Sequence, residues 1–222
     1  MKTPSRPTLG EQNRDYLSIY LAPLPAAVRQ RALDELQSSY ESRVEPAPPA
    51  EGECAPEFCL IDHRGRSVAL RDVQSTQVIS FYRGGWCAHC AMALRALQRR
   101  SAAIETHGGQ IVAISPEPSL DAQTTARENG LRFPILHDAD NELADRYGLR
   151  LSIAPLLAPI YEAEGLAPPA GHEALNVPYP ATFVVDAQSK VRAAFVNRDP
   201  SVRMEPEDIA RVVREIARNE QA

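Results

Sequence analysis

The chain has 222 residues, 44% of them hydrophobic and 24% charged, and a formal net charge of −5. That length suits one core-bearing domain with or without an appendage, and the composition excludes wholesale disorder. The acidic balance excludes a dedicated nucleic-acid binder, which needs a basic face to neutralise phosphates; the 24 Lys and Arg form no single block.

The first elements read as helices. Leu17, Tyr20, Leu21 and Leu24 recur at helical spacing, and Leu33, Leu36 and Tyr40 line one side of a second segment. Both stripes require a partner, either the core or a second subunit of a homodimer. The stretch from Leu17 to Val28 is broken by Pro23 and Pro25 and falls short of the roughly 18 apolar residues of a membrane helix, so no membrane association is expected. Glu11 and Asp15 stand where a secretory leader carries basic residues, and the expectation is a cytoplasmic protein. Next comes Val44-Glu-Pro-Ala-Pro-Pro-Ala-Glu-Gly52, too rich in proline to hold a helix, which reads as a linker.

Beyond the linker, strands alternate with helices. Val78–Tyr82 and Gln110–Ser115 are β-branched and aromatic runs, and Cys90, Ala93, Leu94, Leu97 and Ile104 mark one face of a long helix between them. A helix over Ser119–Asn129, a strand over Phe133–Leu136 and a helix over Ala139–Tyr147 follow. Asp138, Asp140 and Glu142 alternate like calcium ligands but lack the loop glycine and distal glutamate, so they read as helix caps. Ser152–Tyr179, rich in Pro and Leu, breaks the rhythm and reads as a lid beside the site or a packed insertion. Ala181–Val185 and Lys190–Val196 form a hairpin. The last helix opens at Pro206 with Glu205, Glu207 and Asp208 beside its positive end, and it buries Ile209, Val212, Val213 and Ile216. The fold class is α/β, a central mixed sheet flanked by helices.

Four cysteines are too few for a disulfide scaffold, and in a reducing compartment a cysteine pair serves catalysis or metal binding. Phe81-Tyr-Arg-Gly-Gly-Trp-Cys-Ala-His-Cys90 sets a Cys-x-x-Cys at a strand-to-helix junction. There the orphan backbone N–H groups and the helix dipole favour thiolate over thiol, and Cys87 and Cys90 share one helical face within disulfide reach. Zinc is not expected, since Cys54 and Cys59 have poor spacing for the other two ligands. Cys59, between Phe58 and Leu60, is expected in the core, and Cys54 as a bystander. His63, His107, His137 and His172 are expected at the surface. No metal, flavin or nucleotide motif is present, so no cofactor is expected.

Several segments resemble the alkyl hydroperoxide reductase and thiol-specific antioxidant family, in its peroxiredoxin-like branch within the thioredoxin-fold superfamily. They are Gly52-Glu-Cys-Ala-Pro-Glu-Phe-Cys-Leu60, Phe81–Leu97, Val112-Ala-Ile-Ser-Pro116, Asn129–Pro134, Pro180–Asp186 and Glu205-Pro-Glu-Asp208. The resemblance implies a thioredoxin-like domain over 54–222, behind a helical extension over 1–43 and a linker over 44–53. It implies a cysteine peroxidase whose substrate is a hydroperoxide and whose reductant is a thioredoxin-like dithiol or glutathione. Aligned on the family, Cys90 is the peroxide-reactive thiol, Cys87 replaces a threonine, Arg83 replaces a proline, and Pro180 stands where a helper arginine belongs. Aligned on thioredoxin's Trp-Cys-x-x-Cys, Cys87 attacks and Cys90 resolves, as the helix start also suggests. Both assignments stand at this point. Cys87, Cys90 and Arg83 are therefore the expected catalytic residues, with Trp86, His89, Tyr179 and Pro180 lining the substrate. Disulfide exchange with protein substrates gripped beside Pro180 is the alternative, and a redox sensor the third reading. An imidazolium at His89 would stabilise a thiolate and raise the reduction potential above thioredoxin's roughly −270 mV.

Overall fold

The strands that this alternation predicts assemble as one mixed sheet in the computed structural model, which describes residues 7–22, 25–27, 29–30, 34, 46–70, 75–153 and 175–220. In chain order the elements are α1 (Leu9–Leu21), β1 (Cys59–Ile61), β2 (Ser67–Ala69), β3 (Gln77–Phe81), α2 (Ala88–Glu105), β4 (Gln110–Ser115), α3 (Ser119–Glu128), β5 (Ile135–His137), α4 (Glu142–Arg146), β6 (Arg150–Ser152), β7 (Asn176–Pro178), β8 (Ala181–Val185), β9 (Val191–Val196) and α5 (Pro206–Asn219). The second expected N-terminal helix (Leu33, Leu36, Tyr40), the side chains of Leu17, Tyr20, Leu21 and Leu24, His172 and most of the Ser152–Tyr179 segment lie outside the described residues.

The main sheet runs in the order β5-β4-β3-β8-β9. β3 pairs parallel with β4 and antiparallel with β8, and β8 pairs antiparallel with β9 as the expected hairpin. Period-two alternation sends β3's side chains to two cores. Ile79 and Phe81 join Val112, Ile114, Phe183 and Tyr147 on one face. Val78 joins Ala113, Val184, Leu94 and Leu97 from α2, and Ile209 and Val213 from α5, on the other. Each Val, Leu, Ile or Phe among them, fully buried, contributes roughly 1.5–3 kcal/mol. Val212 of the predicted stripe is only half-buried, while Ile209, Val213 and Ile216 face inward.

Some expectations are corrected. The strand expected at Phe133–Leu136 is Ile135–His137, shifted past Pro134, which lacks the ladder's N–H. The helix expected over Ala139–Tyr147 is a 3-10 turn at Ala139–Asn141 followed by α4, because Asp140 and Asn141 take left-handed φ of 54° and 59°. Asp138 does cap, its carboxylate accepting from Leu143 N (2.8 Å) and Ala144 N (2.9 Å). Cys59 is exposed: β1 turns Cys59 and Ile61 outward and leaves Leu60 half-buried. His63 is buried, 5% exposed, with Nδ1 accepting from Ile135 N.

The register decides what can meet. Phe81 pairs with Ile114 in β4 and with Ala181 in β8, and Ala181 pairs with Val196 in β9. Four connections therefore leave from one end of the sheet: Tyr82–Cys87, Pro116–Pro118, Tyr179–Pro180 and Asn197–Glu205. The cysteines sit at this end.

Candidate redox site

Gly84 and Gly85 let the chain turn from β3 into α2. Gly84 holds φ of +152°, and a Cβ there would strike the Trp86 indole. Cys87 caps α2 from an extended conformation, and its Sγ accepts from the Cys90 backbone N–H at 3.4 Å. All four cysteines are free of disulfides. Cys90, in the first turn, is fully buried, whereas Cys87 is 6% exposed.

The two thiols are driven apart electrostatically. Burial pushes Cys90 up, but a hydrogen bond from Cys87, the Arg203 guanidinium, the Arg83 backbone and the Arg83 charge outweigh it and hold Cys90 at about 6. Arg203 Nη2 lies 3.7 Å from Cys90 Sγ. Cys87 is raised, first by its hydrogen bond to Cys90, then by burial and by the charge on Cys90. The helix start, which points to Cys87 in the sequence, acts on both cysteines; the hydrogen bond between them lowers Cys90 and raises Cys87, and the Arg203 guanidinium adds to the lowering of Cys90.

His89 is not the expected imidazolium. It is 7% exposed, its Nδ1 bonds Asn13 Oδ1 of α1 at 2.9 Å, and burial, Arg203 and Arg83 lower it to about 4 against the pull of Asp199. A neutral His89 thus meets Asn13 of α1. Tyr179, expected to line the substrate, is a core side chain (2% exposed) with the Arg198 guanidinium 5.5 Å from its ring centre. Pro180 is buried beside the redox loop, and its carbonyl accepts from Asn197 N at 3.4 Å. Arg83 is 5% exposed. Arg83 and the half-buried Trp86 line a cleft of about 630 Å³ that also takes in Gly85, Glu117, Leu175 and Val177.

Three residues at the site escape a reading of the sequence. Arg203 is 113 positions from Cys90 and arrives on the β9–α5 connection. Glu117 directly follows the Ser115-Pro116 pair of the family-like segment. Asn13 lies on α1, whose backbone N–H groups at Leu9 and Gly10 donate to the Glu205 carboxylate at 3.2 and 3.0 Å. No signal in the sequence ties Asn13 or Arg203 to the cysteines; Glu117 was visible only as a charged residue between two prolines.

Residues 52–194 match the model of the AhpC/TSA family. A thiol-disulfide oxidoreductase ResA of Geobacillus thermodenitrificans is 26% identical over 144 residues, which cover 64% of this chain and 67% of that protein. The ResA of Bacillus subtilis is 27% identical over 99 residues, covering 44% of this chain and 55% of the relative, so the match spans little more than half its length. Among solved structures, the peroxidoxin BcpB of Mycobacterium tuberculosis superposes with a TM-score of 0.59 at 18% identity, covering 76% of this chain and 98% of that one. A cysteine-to-serine mutant of the peroxiredoxin 6 of Arenicola marina gives 0.60 at 16% identity, covering 78% and 75%. These two superpositions establish a shared thioredoxin-like fold.

Proposed function

The chain belongs to the AhpC/TSA family, and on that footing we propose that it is a cysteine-based thiol peroxidase with Cys90 as the peroxide-reactive thiol. The observation that carries the reading is the Cys90 sulfur, fully buried yet 3.7 Å from the Arg203 guanidinium. A thiolate buried this deeply admits a small hydroperoxide far more readily than a protein disulfide.

The Cys90 thiolate attacks one oxygen of the hydroperoxide; the S–O bond forms and the O–O bond breaks. The departing oxygen leaves as an alkoxide or hydroxide and takes a proton from water. Arg203 and Arg83 face the charge that develops on it. Cys90 is now a sulfenic acid, and Cys87, already against it, displaces its hydroxyl as water to give the Cys87–Cys90 disulfide. Both electrons come from the two thiols. The first thiol of an external reductant, a thioredoxin-like dithiol or a pair of glutathiones, attacks Cys87, the more exposed sulfur. Cys90 departs as the better leaving group because its thiolate is the stabilised one. The second thiol then attacks the mixed disulfide and frees Cys87; a reducing, cytoplasm-like compartment supplies the reductant.

The names of the curated relatives support a second reading, exchange with protein disulfides. Catalytic amounts of the protein with a thioredoxin recycling system separate the two. Turnover of hydrogen peroxide or an alkyl hydroperoxide with little reduction of insulin disulfides supports the peroxidase. Insulin reduction without peroxide turnover replaces it with the oxidoreductase.

A further inference from the structure

One of the two arginines that act on Cys90 comes from a loop whose own anchorage lies elsewhere. Arg83 contributes both its backbone and its charge to Cys90, yet it sits in a glycine-rich turn with no regular structure. Beside backbone bonds from Tyr82 N to the Ile114 carbonyl (3.0 Å) and from Cys87 N to the Gly84 carbonyl (3.1 Å), one carboxylate on the neighbouring connection holds that turn. Glu117 Oε2 accepts from the Tyr82 hydroxyl at 2.6 Å, and Oε1 accepts from the Gly85 backbone N–H at 3.0 Å and the Thr125 hydroxyl at 2.7 Å. Tyr82 and Gly85 are the residues on either side of Arg83-Gly84, so the same side chain holds both ends of the segment. The connection is itself fixed: Glu117 N donates to Ser115 Oγ (3.1 Å), and the Glu117 carbonyl meets His137 Nδ1 at 2.8 Å.

The packing around this bracket leaves no slack. A Cβ on Gly85 would overlap the Thr125 hydroxyl and crowd the Glu117 carboxylate. Tyr82 is 2% exposed and Thr125 4% exposed. Hydrogen bonds to an ionised acceptor are about twice as strong as neutral ones.

We propose that Glu117 is a positioning residue that clamps the Tyr82–Gly85 turn from both ends and so holds Arg83 against Cys90. Glu117 touches neither cysteine; it acts through Tyr82, Gly85 and Thr125. The inference rests on the reading of Cys90 as the reactive thiolate.

Position and charge predict opposite signs, which makes the role testable. Removing a negative charge from the neighbourhood of a thiol lowers the thiol's pKa. Removing a clamp that holds an arginine against it raises the pKa. The measurement is the pH dependence of Cys90 alkylation on the full reduced chain, with the modified cysteine assigned by mass spectrometry. In Glu117→Ala the Cys90 midpoint is expected to rise by about one pH unit, the lower end of what a neighbouring arginine does to an acid. Glu117→Gln, whose amide oxygen still accepts from Gly85 and Thr125, is expected to stay near wild type. Tyr82→Phe, which keeps the ring and removes only the hydroxyl that meets Glu117 and Ser115, is expected to rise by less than the alanine variant, and it carries the test alone if Glu117→Ala fails to fold. A midpoint unmoved in Glu117→Ala and Tyr82→Phe, or lowered in both Glu117 variants, overturns the inference. A wild-type Cys90 that titrates in the ordinary thiol range overturns the reading beneath it as well.

Discussion

Replacing Arg203 by methionine removes the guanidinium next to Cys90 while keeping most of the side chain's packing. Two unit charges about 4 Å apart attract by roughly 4 kcal/mol at an effective dielectric of 20. The contact here is 3.7 Å, but Arg203 is half-exposed, its charge is spread over three nitrogens, and Arg83 stays behind. A rise of about 1–2 pKa units is therefore expected, within the range that one arginine gives a neighbouring acid. From about 6, Cys90 would move to roughly 7–8, and its thiolate fraction at pH 7 would fall from about 90% to roughly 10–50%. Loss of the charge facing the leaving oxygen adds to this, for an overall loss in peroxide rate on the order of 100-fold. The pH dependence of Cys90 alkylation measures the first part. Stopped-flow peroxide reaction at about pH 9, where Cys90 is ionised in both proteins, isolates the second. A folded Arg203→Met protein whose Cys90 midpoint has not moved refutes the electrostatic account.

Further outcomes follow from the same site. His89, lowered to about 4, is expected to show no imidazole titration between about pH 5 and 8 by NMR, and a midpoint near 6.5 would contradict its burial against Asn13. With Cys90 stabilised as thiolate by arginines, the Cys87–Cys90 couple is expected to be more oxidising than thioredoxin's roughly −270 mV in glutathione redox buffers, and a value at or below that contradicts it. Cys90 is held below its unfolded value of about 8.5, so in the reduced protein the unfolded chain binds a proton that the native one does not. Stability should therefore rise with pH between about 6 and 8.5, as urea midpoints would show, and Cys90→Ser should flatten that slope. Phe183 is fully buried, with ring centres 5.1 Å from Tyr147 and 6.3 Å from Phe81; Phe183→Ala should cost about 3–5 kcal/mol in urea unfolding. A cost below about 1 kcal/mol would mean that this cluster is not the core it looks to be.

The sheet and its helices were legible because β3, β4 and α2 carry strong periodic patterns whose period matches the element they form. Local reasoning failed where burial depends on a partner distant in sequence. His63 reads as a turn histidine, yet the β5 backbone covers it; Cys59 reads as core, yet its three-residue strand turns it outward. The cysteine pair was visible because strand, glycines, tryptophan and helix are contiguous. Its electrostatics were not. The imidazolium expected of His89 fails because α1 folds over it, and the charge comes from Arg203, delivered by a register that sets Val196 opposite Ala181 and Ala181 opposite Phe81. That register also explains why a family-type helper arginine can be missing at Pro180 while a guanidinium still reaches the thiolate from the next connection.

The peroxide-reactive thiol is identified by the site of sulfenic acid formation when the reduced protein meets one equivalent of hydrogen peroxide. With Cys87→Ser, trapping with a sulfenic-acid probe should label Cys90 rapidly and stoichiometrically, and Cys90→Ser should consume no peroxide on that timescale. Label on Cys87 with Cys90 replaced, or no rapid reaction in either variant, would contradict the account and leave disulfide exchange as the activity of the pair.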